Sequence, residues 1–371
     1  MRIAQIASIA ERVPAKKYGG SERIVYTLTE ELVKRGHDVT LFATGDSLTS
    51  AKLQSIVPSS LREMSVCNPY GLNELTFAHL GNAYAMYEQF DIIHDHIYAI
   101  SMPTANICKT PVVSTVHSMF HDDNLPLYQA MNNVNLVTIS ESQIPASAGL
   151  NIVGTVYHGL NMGYYPFRKT HDGYLLFVGR MSMEKGVHFA IETAQALDIP
   201  LKIVARVADF EMDYFKTYVK PKLSDPRLEW IGEVDEKRRN TLMSGAMAIL
   251  HPVTWPEPFG LTMIESMACG TPVVAFNKGS IPEVISPGTS GFVVESVKEM
   301  VEAVKNIGTI NRSACREYAL TNFNPTNMAD GYERIYRNIL SSKARKVRIP
   351  SLPEAVSMKS IRNFALSPGS M

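Results

Sequence analysis

The sequence predicts an α/β protein built as two doubly wound domains facing each other across a cleft. Three observations carry this expectation. Short apolar runs of strand length alternate with helix-length segments from the N-terminus onward. The rhythm pauses at GLNMGYYPF (159–167), a stretch bearing glycine and proline that reads as a linker, and then restarts. The 371 residues suit two ordinary domains better than one.

The elements follow in order. IAQIASI (3–9) is the kind of apolar run that a parallel sheet buries on both faces. SERIVYTLTEELVKRG (21–36) places Ile24, Val25, Leu28, Leu32 and Val33 on one helical stripe, with Ser21 expected to cap its start and Gly36 its end. DVTLFAT (38–44), FDIIHDH (90–96), PVVSTVH (111–117) and NLVTIS (135–140) read as further strands of a first Rossmann-like domain, residues 1–162. In the second, residues 163–328, YLLFVG (174–179) is a strand, KGVHFAIETAQAL (185–197) a helix and LKIVA (201–205) a strand. LEWIG (228–232), AMAILHP (246–252), TPVVAF (271–276) and GFVV (291–294) continue the series. GYERIYRNIL is expected to form a C-terminal helix, within residues 329–342, that returns towards the first domain. Residues 343–371 form a polar tail with a basic cluster at Lys343, Arg345, Lys346 and Arg348, read as solvated.

Composition narrows the function. At 45% hydrophobic and 19% charged residues, the chain can build real cores. Lys+Arg and Asp+Glu balance at 36 each, which argues against nucleic acid as a partner and means that any bound anion is held by a local arrangement. No apolar run approaches the roughly 20 residues needed to span a bilayer, so no membrane insertion is expected. The opening MRIAQIASIAERVP reads as a first strand and loop, not a signal peptide. Cys67, Cys108, Cys269 and Cys315 are scattered without a C-x-x-C pair, which fits reduced thiols and a cytoplasmic location. Whether the chain pairs as a homodimer stays open.

Ligands of doubly wound sheets sit beyond the carboxyl ends of the strands. At one such end, WPEPFGLTMIESMACGTP (255–272) holds two carboxylates, Glu257 and Glu265, in a setting otherwise apolar or small. Carboxylates are costly to bury alone, so a partner is needed: a side chain, a metal or a ligand rich in hydroxyls. A helix starting near Leu261 would put the amides of Phe259, Gly260 and Leu261 at its N-terminus, where anions or sugar oxygens are favoured. Glu257 and Glu265 could then face one ligand from different ends. YGG (18–20) is a glycine loop before a helix, in which Gly19 and Gly20 would let the first domain approach a phosphate. It is not the G-x-G-x-x-G fingerprint, and no phosphate loop of the Walker kind occurs. GRMSMEKG (179–186) supplies Arg180 and Lys185 between a strand and a helix. His117 ends a strand at the carboxyl edge, whereas His94 and His96 read as pocket-wall or packing residues. No D-x-D occurs; HDD (121–123) has adjacent acids and DFEMD (209–213) reads as a polar helix start, so no metal site is expected.

Taken together, YGGSERIVYTLTEELVKRGHDVTLFATGDS, FDIIHDH, LLFVGRMSMEKG and PEPFGLTMIESMACGTPVVAF, with KGSIPEVI and GTSGFVV, resemble the family-4 retaining glycosyltransferases of the GT-B architecture. The resemblance runs from residue 1 to about residue 340. It implies that Glu265 holds the ribose hydroxyls of a nucleotide-sugar donor. It implies also that Glu257, with the amides of Phe259, Gly260 and Leu261, binds the transferred sugar. Gly260 and Leu261 would help with the diphosphate, and Arg180 and Lys185 would stabilise the leaving nucleoside diphosphate without a metal or other cofactor. His117 would shape the sugar pocket. His158 replaces the Asn commoner at that place in the family and is given no catalytic role. The family's reaction is usually described by a front-face route, in which the leaving phosphate takes the acceptor's proton. No second carboxylate is placed as a glycosidase-like nucleophile. WPEPFG resembles glucosyltransferase relatives and favours UDP-glucose, with GDP-mannose as the alternative; VARVADFEMD (204–213), where the base would bind, is atypical. The acceptor is unknown, since SMFHDDNLP (118–126) and the segment around 60–85 match nothing readable. A GT-B epimerase would lack the EPFG…E helix start, and a degenerate sugar-binding protein would have lost charges at Arg180, Lys185, Glu257 or Glu265; all are present.

Overall fold

A computed structural model describes residues 1–16, 19–66, 68–145 and 149–343. Tyr18 of the glycine loop, Cys67 and the basic cluster from Arg345 onward lie outside the described residues.

Two parallel sheets form the frame. The first comprises β1 (Arg2–Ile6), β2 (Asp38–Phe42), β3 (Lys52–Gln54), β4 (Ile92–Asp95), β5 (Val112–Val116), β6 (Asn135–Thr138) and β7 (Ile152–Thr155), in the order β3-β2-β1-β4-β5-β6-β7. The second comprises β8 (Leu175–Arg180), β9 (Leu201–Arg206), β10 (Leu228–Trp230), β11 (Ala248–His251), β12 (Val273–Phe276) and β13 (Gly291–Val294), in the order β10-β9-β8-β11-β12-β13. Both run outward in two directions from their first strand, which creates a switch point between β1 and β4 and another between β8 and β11. The predicted strands are buried as both-sided runs should be: Ile3, Ile6, Ile92 and Val113 in one sheet, and Leu175, Ile203, Ile249 and Val274 in the other, are all fully buried.

Several boundaries differ from the sequence expectation. The first helix spans Gly20–Lys34 and its N-cap is Gly19, so Ser21 lies inside the helix and its hydroxyl bonds Glu22 Oε2 at 3.0 Å instead of capping. Gly36, at φ +82°, does mark the end, one residue past the cap Arg35. The C-terminal helix is longer than its aromatic stripe suggests, spanning Pro325–Lys343. Proline suits the first turn, and Asn324 Oδ1 accepts from the Asn327 amide at 2.8 Å. This helix lies on the first sheet: Tyr336 OH is 2.6 Å from His94 Nδ1, Tyr332 OH is 2.9 Å from Thr115 Oγ1, and Arg35 bonds Asp330 Oδ1 at 2.7 Å. The stretch at 159–167 is packed, not loose. Leu160, Met162 and Tyr165 are buried, and the Leu160 amide donates to the Phe323 carbonyl at 2.9 Å, so the two chain crossings run together.

Candidate active site

A cleft of about 600 Å³ opens where the carboxyl ends of the two sheets face each other. The first sheet contributes Gly19, Gly20, Glu22, Arg23, His117 and His158, and the second contributes Arg180, Lys185, His251 and the segment from Trp255 to Glu265. Every site residue proposed from the sequence lines this one cavity. Of the other histidines, His94 and His96 pack behind the wall, both buried.

The second-sheet side is built on the loop after β11. The helix Leu261–Ala268 starts from Gly260, which sits in the left-handed region at φ +78°. The amides of Phe259, Gly260 and Leu261 take no partner among the described residues, so three donors stand unpaired at a helix start that lines the cleft. The loop is pinned from behind by the Ser280 amide, which donates to the Glu257 carbonyl at 2.9 Å. Glu257 itself is 7% exposed. Its Oε2 accepts from Lys185 Nζ at 2.6 Å and from Trp255 Nε1 at 2.9 Å. Burial alone would raise this carboxyl, but the charge of Lys185, the nearby His251 and the two hydrogen bonds outweigh it and hold it below the ordinary range. The lysine ammonium also sits 5.0 Å from the centre of the Trp255 ring.

Lys185 reaches this position because Gly186 turns the chain at φ +71° between β8 and the helix Val187–Leu197. A Cβ on Gly186 would run into the Pro252 carbonyl oxygen. Gly186→Ala is therefore expected to cost about 1–3 kcal/mol in chemical denaturation and to weaken any ligand that Lys185 holds. Arg180, at the end of β8, donates to Glu211 Oε1 at 2.8 Å and to Glu184. Both sequence-proposed cations are thus paired with carboxylates.

Glu265 is the most enclosed group, at 1% exposure. Its Oε1 accepts from Arg23, from Arg239 Nη2 at 3.1 Å and from Tyr165 OH at 3.2 Å. Burial pushes its pKa up, and the charges of Arg23 and Arg239 more than reverse this, so it stays ionised. Its Oε2 takes no hydrogen bond within the described residues. Arg23 belongs to the helix Gly20–Lys34 of the first sheet and donates also to the Gly19 carbonyl at 3.3 Å, so the bond to Glu265 crosses the cleft. The approach is close: a Cβ on Gly20 would lie 3.0 Å from Leu261 Cδ1. A side chain at Gly20 would therefore press on the end of Leu261, so glycine eases the meeting of this loop with the facing helix.

Several residues in or behind the cleft were not found from the sequence. Arg23, Arg239, Tyr165 and Trp255 all hold one of the two carboxylates, and Glu22 is a buried carboxylate that burial shifts upward. His251 lines the cleft with Nε2 buried and unpartnered, and burial pushes it down to about 4. His158, given no role above, stacks on His117 with ring centres 5.2 Å apart. Among the described residues there is no group of three or more His, Cys, Asp and Glu side chains arranged to hold a metal ion. Nor is any helix among them long and apolar enough to cross a membrane.

Comparison with known proteins gives this geometry a family. The family described as glycosyl transferases group 1 matches residues 166–320, and glycosyltransferase family 4 matches residues 18–140. A protein of the cps region of Klebsiella pneumoniae is 31% identical over 171 residues, 44% of this chain and 46% of its own length. Glycogen synthase of Mycobacterium tuberculosis is 23% identical, covering 94% of this chain and 98% of its own. Phosphatidyl-myo-inositol mannosyltransferase of the same organism is 25% identical, over 79% of this chain and 82% of its own. Among solved structures, Anabaena HepE in complex with UDP-glucose superposes with a TM-score of 0.69 at 18% identity, covering 92% of this chain and 100% of that one. With both halves matched in order and the two facing sheets in place, the chain belongs to the group 1, family-4 glycosyltransferases of GT-B fold.

Proposed function

We propose that this chain is a retaining hexosyltransferase that moves glucose from UDP-glucose to an acceptor hydroxyl, without a metal ion or other cofactor, in the cytoplasm. The observation that supports it best is a coincidence within one cleft. The Lys185–Glu257 pair stands beside three unpartnered amides at a helix start, and Glu265 keeps one oxygen uncommitted. Amides and a lysine suit a diphosphate, and carboxylate oxygens suit hydroxyls. Glucose is favoured by the Trp-Pro-Glu-Pro-Phe-Gly segment, where Trp255 buttresses Glu257, and by the likeness to a fold neighbour solved with UDP-glucose.

The reaction then runs as follows. The bond between C1 and the diphosphate oxygen breaks, and its electron pair goes to the departing phosphate. Lys185, Arg180 and the amides of Gly260 and Leu261 stabilise that charge. The acceptor oxygen bonds to C1 from the same face, and its proton passes to the departing phosphate oxygen. His117, pushed down to about 4 by burial, is neutral at pH 7 and borders the sugar instead of donating a charge.

A thermal-shift series tests the donor. UDP-glucose at 100-fold over its dissociation constant is expected to stabilise the protein by about 2.7 kcal/mol, with GDP-mannose giving no shift. A shift with GDP-mannose alone would replace the glucose reading with a mannosyl one. Retention is checked by NMR of the product's anomeric proton.

A further inference from the structure

Behind the cleft wall of the first sheet runs a continuous line of hydrogen bonds that the reaction above does not use. His117 Nε2 lies 3.0 Å from His96 Nδ1, and His96 Nε2 lies 2.8 Å from Gln5 Oε1. On its other side Gln5 Nε2 is 3.5 Å from Tyr336 OH, which is 2.6 Å from His94 Nδ1; His94 Nε2 is 2.7 Å from Thr115 Oγ1. Gln5, His94 and His96 are buried. Burial holds the imidazoles of His94 and His96 well below their ordinary range, so all three rings are neutral at pH 7.

A neutral imidazole has one N–H and one lone pair, so each bond in such a line dictates the next. The Gln5 oxygen faces His96 and accepts from its Nε2–H. His96 Nδ1 is then a lone pair, and His117 Nε2–H donates to it. That leaves His117 Nδ1 as an acceptor. His117 lines the cleft, and its Nδ1 takes no hydrogen bond within the described residues. The rear of the line follows in the same sense: the Gln5 amide NH2 donates to Tyr336 OH, Tyr336 OH donates to His94 Nδ1, and His94 Nε2–H donates to Thr115. Turning the Gln5 amide over would reverse every bond and put an N–H in the cleft instead.

We propose that Gln5 and His96 are positioning residues that lock His117 in its Nε2–H tautomer, so that the cleft always presents an accepting Nδ1. Such a nitrogen accepts a hydrogen bond from a hydroxyl on the transferred sugar and opposes any group there that can only accept. This use of the lock rests on the nucleotide-sugar reading above; the lock itself does not.

Long-range 15N spectra of the imidazoles in the ligand-free protein test the lock directly, with His96→Asn and His117→Asn assigning the signals. The expected result is a protonated Nε2 and a bare Nδ1 on His117, with coupling through the hydrogen bond from His117 Nε2 to His96 Nδ1. A proton on His117 Nδ1, or rapidly averaged tautomers, would overturn the proposal. Gln5→Met is expected to average the His117 tautomers and to lower kcat/KM about tenfold, the scale of one hydrogen bond. An unchanged His117 signature in folded Gln5→Met would remove Gln5 from the mechanism, and if that variant does not fold the wild-type spectrum still decides. Failure of UDP-glucose to bind would strike the donor assignment and leave the tautomer result standing.

Discussion

Lys185→Ala is expected to lower sugar transfer by about 10²–10³-fold, the usual loss when one fixed donor to a developing anion is removed. Two effects combine. The departing diphosphate loses a cation in the same cleft as the helix-start amides, and Glu257 loses the partner 2.6 Å away that keeps it ionised. With Lys185 present, Glu257 is held below 4.5 and is charged throughout the neutral range. Without it, burial becomes the dominant influence and the carboxyl moves upward, so the residual activity of the variant acquires an acid limb above pH 4.5 that the wild type lacks there. Lys185→Arg keeps the charge and is expected to recover part of the rate, although a planar guanidinium cannot reproduce both the contact to Glu257 and the seat on Trp255. Single-turnover transfer across pH measures both effects. An alanine variant with a normal rate and a flat profile would remove Lys185 from the chemistry and leave it a structural counter-ion.

The fold was legible because parallel strands buried on both faces carry continuous apolar runs, and each named strand lies within two residues of its run except β1, which ends three residues before its run does. The two strands not anticipated, β3 and β7, are the edges of the first sheet, where Lys52, Gln54 and Val153 face solvent and no apolar run forms. The cap at Ser21 was misplaced because Gly19 already turns the chain into the helix one residue earlier. The site divides in the same way. Glu257, Glu265, Arg180 and Lys185 stood out because they sit in or beside loops whose glycines and prolines have no other local explanation. Arg23, Arg239 and Tyr165 did not, since each lies in a segment that reads as an ordinary helix or connection, and only the tertiary fold brings them to Glu265. One signal was available for Arg23: it follows Gly20 by three residues, so it shares the helix face that the glycine loop turns to the cleft.

Glu265→Gln is expected to be the most destabilising change in the cleft, at about 3–5 kcal/mol, because it removes the counter-charge of two enclosed arginines at once. Arg23 and Arg239 have side chains only 13% and 9% exposed, and the glutamine oxygen that replaces Oε1 can accept their hydrogen bonds but not balance their charge. Arg23→Met should cost less, since Glu265 then keeps Arg239 and Tyr165, but it cuts the tie between the two sheets. The pH dependence distinguishes this pairing from simple packing. The folded pKa of Glu265 lies below its unfolded value near 4.5, so its contribution is fully present above pH 4.5 and is lost as pH falls through the folded value. The stability gap between wild type and Glu265→Gln, measured by denaturant titration, should therefore stay constant from pH 7 to about 5 and narrow below 4.5. A gap that persists undiminished at low pH would mean that the charge of Glu265 contributes nothing and that the loss is one of packing. Donor binding separates the second role. If Oε2 accepts a ribose hydroxyl, the apparent donor affinity falls by about tenfold or more in Glu265→Gln, as expected for one hydrogen bond to a charged group, while Arg23→Met leaves that bond intact.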